Sequence, residues 1–221
     1  MKSTFTGRGS LAWAALMAIS GCATPGSESA PAAAPVVEVV EDPEWRSIAT
    51  PGDLDRIERL DEAWSTALAE AQEAGFRRAI AAEGELLDPD AGLPRPAPTP
   101  GPYRCRVIKI GTQGKVTVSY IAYKPFFCYV EAEGDLLTIV KQTGSQRPAG
   151  RLYPDGEADR LVFLGSLALG NEEAPLAYRE DPERDMVGIM ERVAPFRFRL
   201  VIPWPRYESK LDVIELVPAT G

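Results

Sequence analysis

From Tyr103 to the C-terminus, apolar residues recur at every second position in short runs, and that period restricts this part of the chain to β-structure. The predicted strands lie near 103–110, 115–123, 126–132, 135–142, 149–153, 160–167, 187–193, 196–202 and 210–217. Turn chemistry separates them: Thr112-Gln113-Gly114, Glu133-Gly134-Asp135, Pro154-Asp155-Gly156 and Pro203-Trp204-Pro205. About eight antiparallel strands at this spacing predict a small β-barrel or a sandwich. The barrel is the better expectation, because about eight strands just close around a packed or ligand-sized interior.

Upstream the period is helical. Thr50 is placed to cap, Pro51 sits in the first turn, and Asp53 and Asp55 complement the positive end of the helix dipole. Leu54, Ile57, Leu60, Trp64, Leu68, Ala71 and Phe76 then form one apolar stripe. Gly75 interrupts the pattern, but Arg77, Arg78 and Ile80 carry it to about Glu83. Six prolines between Leu87 and Pro102 predict an irregular connector running over the surface. The fold class is therefore α+β, mainly β: a helical segment at 45–85, a linker at 86–102 and an antiparallel β domain at 103–218. Asp181-Pro182-Glu183-Arg184-Asp185 adds one expected helical turn, capped by Asp181.

The beginning of the chain carries a different signal. Lys2 and Arg8 form a positive region, and residues 11–19 form an apolar run too short to span a bilayer. Ile19-Ser20-Gly21-Cys22 follows and resembles the lipobox of bacterial lipoproteins. That resemblance implies that the Cys22 thiol receives a diacylglycerol, that the chain is cut before it, and that the new amine is acylated. Residues 1–21 are then a signal peptide, and the Ala/Pro/Ser/Glu-rich stretch at 22–44 is a flexible tether. Two or three acyl chains hold far more firmly than one, so the membrane is a partner through a lipid anchor. Ala23, where an Asp would retain a lipoprotein at the inner membrane, implies the outer membrane with the domain facing the periplasm.

With Cys22 acylated, Cys105 and Cys128 are an even pair in an oxidising compartment, and a disulfide between them is expected. Their spacing matches no C-x-x-C site, and the chain contains no histidine to complete a metal centre. The missing histidine also removes Ser-His-Asp and Cys-His catalysis and the commonest general base. No P-loop, dinucleotide-binding glycine motif or calcium loop is present. No catalytic residue, metal or cofactor is assigned. The net charge of −8 argues against nucleic acid as a partner.

Two stretches supply candidate binding residues. Thr143-Gly144-Ser145-Gln146-Arg147-Pro148-Ala149-Gly150-Arg151-Leu152-Tyr153 places Ser145 and Arg147 where they can meet an acidic group or a polysaccharide at a barrel mouth, with Arg151 and Tyr153 beyond. The competing reading is structural: glycines for tight connections, arginines paired with carboxylates, and Tyr153 packed under the next turn. In Phe196-Arg197-Phe198-Arg199-Leu200, strand alternation puts Phe196, Phe198 and Leu200 on one face and Arg197 and Arg199 on the other. Inward-facing arginines there would mark a polar ligand cavity, outward-facing ones a wet strand face. Trp204, between two prolines, is a candidate exposed aromatic anchor.

From about Trp45 to Pro218 the chain resembles the bacterial domain-of-unknown-function family numbered 4893, found in exported alphaproteobacterial proteins. The resemblance is carried by Tyr103-Arg104-Cys105-Arg106-Val107-Ile108-Lys109, by Lys141-Gln142-Thr143-Gly144-Ser145-Gln146-Arg147 with Leu152-Tyr153-Pro154-Asp155, and by Pro195-Phe196-Arg197-Phe198-Arg199-Leu200-Val201 with Leu211-Asp212-Val213-Ile214-Glu215-Leu216. It implies no activity and no site residues. The leading expectation is a non-catalytic lipoprotein whose barrel binds an envelope protein or a small molecule. A protease-inhibitor-like or structural barrel is the alternative, supported if an exposed aromatic loop is found. A carboxylate-dependent glycan hydrolase is a further one, and it requires two acids converging in a cleft about 5 to 10 Å apart.

Overall fold

The computed structural model describes residues 43–170, 172 and 174–219. Cys22, the expected signal peptide at 1–21 and nearly all of the expected tether at 22–44 lie outside the described residues. The strands are β1 (Gly101–Ile110), β2 (Tyr120–Ala122), β3 (Phe126–Glu133), β4 (Leu136–Lys141), β5 (Gln146–Pro154), β6 (Arg160–Leu169), β7 (Asp185–Ala194), β8 (Arg197–Pro203) and β9 (Leu211–Pro218). β1 and β3 to β9 pair in chain order, each antiparallel to the next. β9 returns to β1, with Leu211 opposite Ile110 and Pro218 opposite Tyr103, and this closes an eight-stranded barrel.

The remaining strand, β2, continues the wall beside β1 where β3 stops. Phe126 is the last β3 residue paired with β1, opposite Cys105, and β2 resumes with Ala122 opposite Ile108. Lys124 and Pro125 break the wall between them, and Pro125 has no N–H to donate. The expected strand at 115–123 shrinks to these three residues, because β1 ends at Ile110 and leaves residues 115–119 no edge to pair with.

Strand alternation sends Tyr103, Cys105, Val130, Ile139, Leu152, Phe163, Met190, Leu200 and Leu216 into one interior cluster. Tyr103 and Phe198 meet edge to face inside it, 6.3 Å between centroids. Gly150 and Gly165 lie opposite each other across β5 and β6. A Cβ on either would come within 2.4 Å and 2.3 Å of the carbonyl oxygens of Leu164 and Ala149, and within 2.7 Å of the Phe163 ring. Only glycine leaves room for that ring to lie across the wall. Cys105 and Cys128 form a disulfide on the inner face, their Cα atoms 5.9 Å apart, joining β1 to β3 just above the break.

The helical segment is a jointed arm wrapped around the outside. α1 (Glu44–Ile48) and α2 (Pro51–Glu58) lie against β5 to β7, where Trp45, Tyr153, Val162, Leu164, Val187 and Ile189 are buried together. α3 (Leu60–Ala71), a π-helical turn at Gln72–Phe76, α4 (Arg77–Ala82) and a 3-10 turn at Gly84–Leu87 cover β1, β8 and β9. Gly75 takes φ 95°, a left-handed conformation that bends the arm around the barrel. The buried face of α3 is Ala63, Trp64, Ala67 and Ala71, while Leu54, Ile57, Leu60, Leu68 and Phe76 are only partly buried. Small alanines allow the helix to approach the sheet closely. Arg106 ties the arm down, donating to Glu83 at 2.6 Å and pairing with Glu215 at 2.9 Å.

The proline-rich connector is tied to the barrel rather than merely crossing its surface. Leu93 N–H donates to the Arg192 carbonyl at 2.8 Å, Arg192 donates back to Pro94 O at 2.9 Å, and Pro96 and Pro98 are buried. At 181–185 the chain makes a hydrogen-bonded turn, not a helix, with Glu183 N–H donating to Asp181 Oδ1 at 3.0 Å.

Candidate functional site

One end of the barrel is packed and the other is hollow. The hollow end opens where β1, β4, β6 and β8 finish and β3, β5, β7 and β9 begin, and it encloses a cavity of about 610 Å³, within the range of roughly 300 to 1,000 Å³ usual for small-molecule sites. Its floor continues the apolar interior through Val107, Phe126, Leu167, Met186, Ile202 and Ile214. Its rim carries Tyr123, 44% exposed, and Tyr207, 58% exposed, with Lys124 and Arg206 beside them.

Two lysines and an aspartate occupy inward positions among these apolar residues. Lys109 shares the inner face of β1 with Tyr103, Cys105 and Val107, and its Nζ donates to Asp212 at 3.1 Å and to Glu208 at 3.0 Å. Burial works against its charge, yet Asp212 and Glu208 outweigh that and hold its pKa above the ordinary lysine value. Lys141 ends β4 opposite Cys128, with its ammonium 4.2 Å from the centroid of the Phe126 ring. Burial, then the positive charges of Lys109 and Arg147, push its pKa below the ordinary value. Among the described residues neither Lys141 nor Lys124 has an ion-pair partner, whereas Arg56, Arg184 and Arg206 pair with Asp53, Glu172 and Glu183.

Beside the mouth, α2 docks on β7 through a buried polar network. Thr50 caps α2 as expected, its Oγ1 accepting from Asp53 N–H at 3.2 Å. Asp53 stands in the first turn as expected and is fully buried there: it accepts from Thr50, Arg56 and Tyr178. Burial and Asp53 push the Tyr178 hydroxyl up to about 12. Asp185 Oδ1 accepts from Arg179 N–H at 2.8 Å, while its Oδ2 and the Oγ of Ser166, directly opposite on β6, are buried with no partner among the described residues.

The residues singled out from sequence fall in several places. Ser145 lines the cavity on its exposed side. Arg147 is committed to structure, donating to the carbonyls of Gly144 at 3.1 Å, Gly170 at 2.5 Å and Glu172 at 2.5 Å. Arg151 makes a half-exposed surface pair with Glu133, and Tyr153 is buried against α1 and α2. Arg197 and Arg199 leave the barrel on its outer face, so they line no cavity. Arg197 pairs with Glu215 at 2.7 Å. Arg199 is nevertheless fully buried beneath the arm: it donates to Glu191 at 2.6 Å and to the carbonyls of Glu85, Leu86, Asp88 and Pro89, with Trp64 stacked at 5.0 Å. Phe196 does not share the inner face with Phe198 and Leu200. It takes φ 56° in the β7–β8 turn and is 77% exposed. Trp204 is half-buried, donating to Arg59 O at 3.1 Å with the Arg59 guanidinium over its ring, and it lines a smaller pocket with Arg56, Arg206 and Tyr207.

Sequence reading passed over Lys109, Lys141 and Asp212, although a signal was present. Each stands at the strand parity otherwise held by interior apolar residues: Lys109 after Cys105 and Val107, Lys141 after Leu137 and Ile139, and Asp212 before Ile214 and Leu216. Glu183, Asp185, Glu208 and Asp212 all line the cavity, and Glu208 and Asp212 share one partner, Lys109. Among the described residues no group of three or more Cys, Asp or Glu is placed to hold a metal ion, and no helix is long and apolar enough to cross a membrane.

A family model described as Domain of unknown function (DUF4893) matches residues 45–216, from the first helix to the last strand. The chain belongs to the DUF4893 family. No curated protein and no solved structure matches it. The matched span of the DUF4893 domain includes both the barrel and the helical arm, and the arm supplies Trp45, Trp64 and the cover over Arg199.

Proposed function

We propose that this DUF4893 protein is a bacterial envelope lipoprotein, held at the outer membrane by acylated Cys22, whose barrel binds a small molecule in its mouth without catalysis. The observation that carries the binding role is the cavity: an apolar floor inside a closed barrel, a few inward polar groups, and an open end. The closed wall, the disulfide beside the break and the arm outside hold that cavity in a fixed shape, which reduces the ordering that binding requires. The anchor rests on the Ile19-Ser20-Gly21-Cys22 pattern and the Ala/Pro-rich stretch that follows it.

Native and denaturing mass spectrometry of the protein purified from a bacterial envelope test the binding role. Excess native mass of a few hundred daltons, lost on denaturation, is the expected result; the denatured mass alone counts against a small-molecule role and turns the search to protein partners. Cys22→Ser tests the anchor separately: the protein should leave the membrane fraction, and continued membrane association would refute acylation at Cys22.

A further inference from the structure

The cavity has an electrostatic bias that the chain as a whole does not share. The protein is acidic, with a net charge of −8, yet six Lys and Arg against four Asp and Glu line this cavity, and among the described residues two of them, Lys124 and Lys141, have no acid partner. Lys141 is the more telling. Its ammonium is half-buried against the Phe126 ring, with Lys109 and Arg147 near enough to disfavour its charge. Holding a lysine among apolar side chains next to other cations is costly unless an anion offsets it. Lys109 already has Asp212 and Glu208. Immediately below Lys141 the lining turns apolar, through Phe126, Val107 and Ile214 to the disulfide.

Resting on the binding role proposed above, we infer that the cavity takes a single-chain amphipathic anion, its acidic head on Lys141 and its apolar chain directed down the barrel. A carboxylate or phosphate head would give Lys141 the charge-assisted hydrogen bonds it lacks, and the Phe126 face would remain packed beneath both groups. The exposed Tyr123 and Tyr207 rings flank the entrance with Lys124, a mixed aromatic and basic rim suited to a ligand with one polar end and one apolar end. Neutral amphiphiles of the same length should bind more weakly, since they cannot neutralise Lys141. A small anion such as acetate should bind poorly, since it leaves the floor empty.

The test uses the full-length chain made by oxidising cell-free synthesis, so that neither an acyl anchor nor cellular lipid accompanies it. Calorimetric titration with dodecanoate, dodecyl phosphate and dodecanol should show at least one of the two anions binding about 10-fold or more tighter than the alcohol. Whichever anion is tighter identifies the head as carboxylate or phosphate. Lys141→Gln should erase the preference while leaving dodecanol binding within about 2-fold, and the comparison of ligands on the unaltered chain stands even if that variant folds poorly. Equal binding of anions and alcohol overturns the headgroup assignment and leaves the cavity's binding role intact. Failure of all three, with excess mass still found on the envelope-purified protein, overturns the ligand class alone. Failure of all three with no excess mass overturns both readings.

Discussion

The Trp45 indole donates its Nε1–H to Asp155 Oδ1 at 2.7 Å, joining the first turn of the arm to the β5–β6 turn across 110 residues of sequence. Trp45 is fully buried, and Asp155 is itself held by Arg160 at 2.5 Å. The Pro154-Asp155-Gly156 turn thus serves as a docking socket for the arm. Asp155→Ala should leave a buried indole N–H without an acceptor and lower stability by about 1 to 3 kcal/mol, read as a shift in the denaturant midpoint. An unchanged midpoint would show that the arm is held by apolar contact alone.

Arg199 serves one carboxylate and four carbonyls that end the helical arm. Lysine keeps the charge but not the planar fork that reaches several acceptors at once. Arg199→Lys is expected to destabilise the chain by about 3 kcal/mol, because Glu191 and several carbonyls are left buried without full partners. Amide exchange across residues 77–93 should accelerate more than exchange in β4 or β5; uniform acceleration would count against a role confined to the arm.

Gly165→Ala is a steric test of the barrel wall. The new methyl would meet the Ala149 carbonyl and the Phe163 ring, and backbone cannot yield as a side-chain tip can. A loss of about 1 to 3 kcal/mol is expected, measured by thermal or denaturant unfolding. Partial rescue by Phe163→Leu in the double variant would identify the ring as part of the clash.

Removing the disulfide as Cys105→Ala with Cys128→Ala should cost about 3 kcal/mol through the freed unfolded chain. Because the bridge sits next to the break at Lys124 and Pro125, exchange protection should fall most at Phe126, Phe127 and Ile108. A loss of stability without that local signature would place the effect in the unfolded state alone.

Asp185 supplies a pH test. Burial first, then repulsion from Asp53, raises its carboxyl above the ordinary aspartate value, against the pull of Arg179 N–H, Arg206 and Arg56. Between the ordinary value and the raised one, the folded chain therefore holds a proton that the unfolded chain has released. Its stabilising contribution is complete below the ordinary aspartate pKa and is lost as pH rises through the elevated folded value. Asp185→Asn keeps the oxygen that accepts from Arg179 and removes the titration, so its stability relative to the unaltered chain should increase from pH 4 to pH 7. A difference that does not vary with pH would show that Asp185 titrates normally.

The sequence by itself determined most of the elements, though not the short β2 or the turn at 181–185. Period-two alternation and turn residues located the strands, and Thr50-Pro51 marked the helix start, because these depend on neighbours a few residues apart. The disulfide partners were also legible, since only one pair remained once Cys22 was set aside. Burial on the outside of the barrel was not legible. Arg199 looks like a wet-face residue until the arm is laid over it, and Asp53 is buried only because its helix docks on β7; both placements depend on contacts between residues more than 100 positions apart. The cavity was equally a tertiary decision. Lys109, Lys141 and Asp212 sit on three strands far apart in sequence, and only closure of β9 onto β1, with β4 carried round in register, brings their inward faces to one mouth. Strand parity states which way a side chain points; what it points into is fixed by the closed sheet.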